Sequence, residues 1–211
     1  MKKQYLTKAE RLQFVLSEDL KSILIGLSLG DLYVNKQKRS VNARLEFEQG
    51  LVHDKYLDHL YDLFQSYCMQ VPKVYTRLPD KRTGQTYSRI SFQTAALPCF
   101  NELYNLFYPN GQKVVPSNIG DLLTPLGLCY WICDDGGFCK RDKAITLSTQ
   151  GFKLEEVELL ISALTNKFDI KCTLKKERNA FAIRISSKSL PVVQNLLAPI
   201  IPSMMKHKIG L

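Results

Sequence analysis

Three aspartates stand where an acid is poorly placed. Asp31 closes one apolar run, Leu24-Ile25-Gly26-Leu27-Ser28-Leu29-Gly30, and Asp134-Asp135 close another, Leu128-Cys129-Tyr130-Trp131-Ile132-Cys133. Both runs, residues 19–31 and 124–135, are too continuously apolar for a surface helix and read as buried helices. A helix C-terminus carries partial negative charge, so a carboxylate there is repelled, and burying it requires a compensating cation or hydrogen-bond donors. If the two helices pack together, the acids converge. Two carboxylates, with water and phosphate oxygens, form a hard-cation site suited to Mg²⁺. Such a site can activate water and stabilise a leaving oxygen in phosphodiester cleavage. Taken singly, Asp31 merely ends a helix and Asp134-Asp135-Gly136-Gly137 is a turn; their matching positions argue for more.

The match extends along the chain. Phe47-Glu48-Gln49-Gly50 corresponds to Ser148-Thr149-Gln150-Gly151, each leading into a helical pattern. Ser88-Arg89-Ile90-Ser91-Phe92 before Leu97-Pro98 corresponds to Ile183-Arg184-Ile185-Ser186-Ser187 before Leu190-Pro191. The elements recur in the same order, the mark of a duplication. Ala43, Leu45 and Phe47 alternate with Arg44, Glu46 and Glu48, as in a strand with one wet face, and Ile145 and Leu147 do so with Thr146 and Ser148. Further strands are predicted near 72–78, 87–94, 170–177 and 180–186. Their hairpin turns fall at Asp80-Lys81-Arg82-Thr83-Gly84 and Glu177-Arg178-Asn179. Helical patterns fill 54–68, 97–107, 153–168 and 188–198. Each half reads αββαββα, an α+β fold, with a first repeat at 19–108, a linker at 109–123 and a second repeat at 124–211. Gly26 and Gly30 on the first helix, and Cys129 and Cys133 on the second, leave room for close helix approach.

The chain has 211 residues, 45% of them hydrophobic, enough for a real core. It has no apolar stretch of the roughly 20 residues needed to span a bilayer, and no secretory leader is visible at its start. The net charge of +9 favours a polyanionic partner, nucleic acid before an anionic membrane surface. Six cysteines, with no Cys-x-x-Cys pair, read as reduced core thiols; a zinc site with His53, His59 or His207 is the weaker reading.

These motifs resemble the paired motifs of the LAGLIDADG homing endonucleases, in particular the single-chain, intron-encoded type exemplified by the mitochondrial omega-intron endonuclease. Thr124-Pro125, Tyr130-Trp131, Asp134-Asp135-Gly136-Gly137, Thr149-Gln150-Gly151-Phe152 and Pro202-Ser203-Met204-Met205 carry the likeness, which spans about residues 19 to 208. The first motif departs from the pattern, with Leu32 in place of Gly. The resemblance implies two pseudo-twofold halves whose antiparallel sheets form a DNA-binding saddle, with the motif helices at the interface. It implies Asp31 and Asp135 as metal-binding acids and Asp134 as a structural neighbour. Lys113 is implied as the basic residue of the first half and Lys208 or Lys206 as that of the second, with Lys208 chosen. Gln49 and Gln150 are implied to position water or phosphate. It also implies Mg²⁺ as cofactor, with Mn²⁺ substituting and Ca²⁺ supporting binding without cleavage, and a monomer acting in an organelle, mitochondrion or chloroplast. The cut would sever both strands across the minor groove and leave 3′ overhangs.

The wet strand faces carry Arg44, Glu46, Glu48, Arg89, Ser91 and Gln93 in the first half and Thr146, Ser148, Arg184 and Ser186 in the second. Lys73, Tyr75, Arg77, Lys171, Thr173 and Lys175 are expected on adjacent strands. This mixture suits base edges in the major groove, where Arg pairs with guanine and Glu accepts from cytosine. The halves differ, so the duplex DNA site should be long and asymmetric. Lys36, Lys38, Arg39, Lys81, Arg82, Lys140 and Arg141 would hold phosphates. The alternatives are a maturase that binds its host intron RNA and a catalytically silent DNA-binding regulator. Retention of both acids favours cleavage over the maturase, because splicing needs neither, and the regulator would bind its site without magnesium ever converting binding to cutting.

Overall fold

The apolar runs form helices and the alternating runs form strands. The structure, a computed structural model, describes residues 5–178 and 180–211. In chain order, the first elements are α1 (Lys8–Leu12), α2 (Glu18–Leu29), β1 (Tyr33–Asn35), β2 (Arg44–Gly50), α3 (Asp54–Phe64), β3 (Lys73–Thr76), β4 (Ser88–Gln93) and α4 (Asn101–Phe107). There follow α5 (Ile119–Leu122), α6 (Pro125–Asp135), β5 (Gly136–Cys139), β6 (Ala144–Leu147), α7 (Leu154–Phe168), β7 (Cys172–Glu177), β8 (Ala180–Ile185) and α8 (Leu190–Leu197). A 3-10 helix, Ser203–Ile209, ends the chain. The fold is α+β. Among the described residues, no helix is long and apolar enough to cross a membrane.

The chain forms two compact units. One gathers the residues up to Ser17 with Leu32–Asn105; the other gathers Glu18–Asp31 with Leu106–Leu211. The first unit holds a four-stranded antiparallel sheet in the order β1-β2-β4-β3, with α3 packed on β2 and β4. Phe47 and Phe92, cross-strand partners, stack at 4.4 Å, and Phe64 of α3 sits 5.2 Å from Phe47. These rings, with Leu45, Leu57, Leu60 and Phe100, are buried, and their removal from water supplies the driving force.

The second unit holds the matching sheet, β5-β6-β8-β7, with α7 against β7 and β8. Its core gathers Ile145, Leu147, Leu160, Leu164, Ile183 and Ile185. This unit also contains both motif helices, α2 and α6, packed along one another. Thr124 caps α6 by accepting a hydrogen bond from the Gly127 N–H at 3.1 Å, and Pro125 occupies the first turn, where its missing donor costs nothing. Glu18 and Asp19 place acids at the start of α2, where the helix dipole favours them.

Several features depart from the sequence expectations. α2 ends at Leu29, so Asp31 lies two residues beyond the helix, and it is exposed rather than buried. The first strand of each sheet, β1 and β5, was not located by alternation: they have three and four residues, and β5 begins with two glycines. Pairing with β2 and β6 creates them, over any local preference. The linker contains the one-turn α5. The first hairpin closes as expected: Asp80 Oδ1 accepts from the Arg82 and Thr83 N–H groups at 2.9 and 2.8 Å, and Gly84 has φ +68°. In the second, Arg178 has φ +53°; Asn179 lies outside the described residues.

The close helix contact is Gly26 against Gly127. A Cβ on Gly26 would lie 1.9 Å from the Gly127 carbonyl oxygen, a backbone atom that has no rotamer with which to yield. Gly127, not Cys129 or Cys133, thus supplies the small surface opposite Gly26. Gly26→Ala is expected to destabilise the protein by about 3 kcal/mol or more, at the upper end of overpacking costs. Gly151→Ala, whose added Cβ meets nothing within 4 Å, should change stability by less than about 0.5 kcal/mol. Thermal or urea unfolding of the pair checks this; equal midpoints would show that the helices separate freely.

Candidate active site

The α2–α6 contact fixes where the two helices end, and there the acids meet. Asp31 donates its main-chain N–H to Asp134 Oδ2 at 3.1 Å, tying the first motif's end to the second. A Cβ on Gly30 would lie 2.6 Å from Asp134 Cβ, so only one of these corresponding positions can carry a side chain. The first motif yields the space and the second fills it.

Each helix end is met by a lysine. Lys113 Nζ donates to the Gly30 carbonyl at 2.5 Å, and Lys208 Nζ donates to the Gly136 carbonyl at 2.7 Å. Cations there complement the negative end of a helix dipole and satisfy carbonyls that the helix leaves unpaired. The Lys113 backbone is held on its C-terminal side: the Val114 N–H donates to the Phe107 carbonyl at 2.8 Å, and the Val115 N–H to Glu156 Oε1 at 2.9 Å. Lys208 lies on the final 3-10 helix, which Gln194 of α8 holds through the Ile209 carbonyl at 2.9 Å. Lys206, on the same helix, is exposed.

The charges of this cluster act on one another. Burial pushes the Asp135 carboxyl up to about 7, and the neighbouring Asp31 charge pushes in the same direction. Lys113, Lys208 and the indole of Trp131 oppose the rise. The Trp131 N–H, one turn earlier on α6, is buried without a hydrogen bond of acceptable geometry, so its contribution is small. Burial lowers the Lys113 pKa, while Asp135, Asp134 and Asp31 work to raise it. Among the described residues, no group of three or more His, Cys, Asp or Glu gathers to hold a metal ion. A cation here would have two carboxylates as protein ligands and take its remaining oxygens from water or substrate, a donor set that fits a hard divalent ion.

The other sequence-predicted residues occupy the two sheets and their margins. In the first sheet, register aligns Glu46 with Gln93, Glu48 and Lys73 with Ser91, and Tyr75 with Arg89 on one face; Arg44 precedes Glu46, and Arg77 follows β3. Gln49 is the cross-strand partner of Ile90 in β2. In the second sheet, Arg184 is the partner of both Thr146 and Thr173, and Lys175 that of Ala182. Ser148, Lys171 and Ser186 fall just outside the strands, and Ser186 Oγ accepts from the Lys188 N–H at 3.3 Å. Gln150 lies in an exposed turn and donates to Glu177 at 2.9 Å. The sequence reading missed Asn35, which donates to Glu46 at 2.8 Å, and Asp142, which accepts from Arg184 at 3.1 Å. Their signal was weak because Asn35 belongs to the unrecognised three-residue β1 and Asp142 to a turn.

Residues 21–193 match the LAGLIDADG DNA endonuclease family. The chain is 34% identical, over 200 residues, to the cytochrome b mRNA maturase bI2 of Debaryomyces hansenii, covering 92% of this chain and 75% of that protein. It is 34% identical, again over 200 residues, to the probable intron-encoded endonuclease 1 of Wickerhamomyces canadensis, covering 92% and 85%. Among solved structures, the homing endonuclease I-WcaI bound to its DNA recognition sequence superposes with a TM-score of 0.88 at 32% identity, over 96% of this chain and 92% of that one.

The raised Asp135 carboxyl has a consequence for stability. In the unfolded chain an aspartate ionises near pH 4, so as pH rises from there to about 7 the unfolded state sheds a proton that the folded state keeps. Stability is therefore fully present below the lower value and falls as pH rises through the higher. In chelator, Asp135→Asn is expected to be more stable than wild type at pH 8, by up to roughly 4 kcal/mol, and no more stable near pH 4. Identical pH profiles of unfolding for the two proteins would refute this.

Proposed function

The chain belongs to the LAGLIDADG DNA endonuclease family and is a homing endonuclease; on that premise we propose that it makes a Mg²⁺-dependent double-strand break with 3′ overhangs in a long asymmetric DNA site. The observation that carries this reading is the convergence of Asp31 and Asp135 at two adjoining helix ends, where Asp135 ionises only near neutral pH unless a cation offsets its surroundings.

In this reading Asp31 and Asp135 hold the cation. Mn²⁺ is expected to substitute, and Ca²⁺ to support binding without cutting. A bound divalent ion supplies Lewis-acid stabilisation of the leaving oxygen and a more acidic water. Lys113 and Lys208 each spend one of three N–H donors on a carbonyl, and the others remain for phosphate oxygens. Like Lys113, which donates to the Gly30 carbonyl beyond the first motif helix, Lys208 donates to a carbonyl just beyond the second, that of Gly136, and this favours Lys208 over Lys206 as the second basic residue. Gln49 and Gln150 are proposed to position water or phosphate. The repeats, 19–108 and 124–211 joined by 109–123, each contribute one motif and one sheet. The sheet residues read base edges along an asymmetric target, and the enzyme works as a monomer in an organelle.

A second reading is supported by the 34% identity to a protein named as an mRNA maturase: the chain also binds its host intron RNA. A splicing assay with that intron tests this separately.

Cleavage selection from a randomised duplex library tests the main reading. Wild type with Mg²⁺ is expected to recover a long asymmetric site cut on both strands. Asp31→Asn and Asp135→Asn should bind that site and cleave it about a thousandfold more slowly, the scale of several kcal/mol of metal-dependent stabilisation. Full cutting by either variant would overturn the ligand assignment. Lys208→Met should likewise slow cleavage far more than Lys206→Met; the reverse order would move the second basic role to Lys206.

A further inference from the structure

Among the described residues, three arginines lie within strands, Arg44 in β2, Arg89 in β4 and Arg184 in β8. Each is paired with a carboxylate of its own unit: Arg44 with Glu46 at 2.6 Å, Arg89 with Glu48 at 2.8 Å and Arg184 with Asp142 at 3.1 Å. Strand faces built to attract phosphate alone would not spend acids in this way.

Arg89 is held from two sides. Its Nη1 donates to both Glu48 oxygens, at 2.9 and 2.8 Å. Its guanidinium carbon lies 5.5 Å from the centroid of the Tyr75 ring, and Tyr75 is the residue directly opposite on β3. On β2 the residue directly opposite is Gly50, which has no side chain, and Arg89 reaches diagonally to Glu48. The two side chains are 42% and 51% exposed, so the ion pair adds little to fold stability. Its effect is on order. A long, rotamer-rich side chain is fixed before any ligand arrives, and that entropy is not lost on binding. The carboxylate bonds use Nη1 alone, leaving Nη2 and Nε as two parallel donors in the fork geometry that matches guanine O6 and N7.

We infer that Arg89 reads a guanine in the part of the target facing the first sheet, and that Glu48 and Tyr75 are positioning residues for it. Glu48 is then the counter-ion of a base reader and not itself a reader of cytosine. Glu46 pairs differently: its Oε1 takes both Nε, at 2.8 Å, and Nη2, at 2.6 Å, of Arg44 and accepts from Asn35 at 2.8 Å, so it occupies the fork that Arg89 keeps open. The inference rests on the nuclease reading and adds to it which residues set specificity.

The test uses the selected target and its full set of single-base-pair variants, with cleavage measured in Mg²⁺ and binding in Ca²⁺. Wild type should prefer guanine at one position by about tenfold to a hundredfold. Arg89→Ala and Arg89→Lys, the latter keeping the charge but losing the fork, should abolish that preference. Glu48→Gln should weaken it several-fold at the same base pair, and adding Glu48→Gln to Arg89→Ala should cost nothing further there. A general loss of folding would lower cleavage of every target alike and shift the unfolding midpoint; the preference profile separates the two. Three results would overturn the inference: a Glu48→Gln change at a different base pair, a uniform loss across all targets for Arg89→Ala, or additive effects in the double variant. If wild type selects no duplex at all, the nuclease reading itself fails; if it selects a site with no guanine sensitive to Arg89, only this inference does.

Discussion

Two glycines, 101 positions apart in the chain, let helix backbones touch, and the rest of the site follows from that contact. Gly26 faces the Gly127 carbonyl at a distance that excludes any side chain. Once the backbones are that close, the ends of α2 and α6 have to adjoin, and the acids at the end of α6 and just beyond α2 are drawn together. Gly30 meets Asp134 at the same seam. Packing so tight leaves little freedom for the carboxylates, which is the condition for a precise metal geometry.

That closeness works against the electrostatics of the fold. Two acids at two negative helix ends repel one another, and burial of Asp135 adds to the cost. Lys113 and Lys208 offset part of it, but each donates to a main-chain carbonyl, Gly30 or Gly136, and so balances the helix end as well as the carboxylate. Stability given up at a site in this way is what catalytic centres commonly show. The long-range tethers fit this view. Glu156 holds the segment after Lys113, and Gln194 holds the turn of Lys208. Both serve to keep a lysine in place.

The sheets answer a different demand. Their inner faces carry the ring and aliphatic cores, and this frees the outer faces to carry polar side chains in fixed register. On those faces arginines are paired with acids of the same unit, so their directions are set by the protein itself. The residues proposed for catalysis and for recognition thereby rest on separate supports, helix ends for the first and strand faces for the second.

Much of this was legible in the chain. The duplication, the two apolar helices, the alternating strands and the acids at Asp31 and Asp134-Asp135 were readable because periodicity and motif position are local properties of sequence. The resemblance carried by those motifs pointed to Lys113 and, with less precision, to Lys208 or Lys206. Tertiary structure decided what depends on contacts between distant residues. It assigned Gly127 as the partner of Gly26, gave the short β1 and β5 their strand form by pairing, and brought Lys208 to Gly136 while leaving Lys206 exposed. It also set Glu48 on Arg89, a pair 41 residues apart. Local pattern fixes which face a residue presents, but only the packing of remote segments fixes what it meets there.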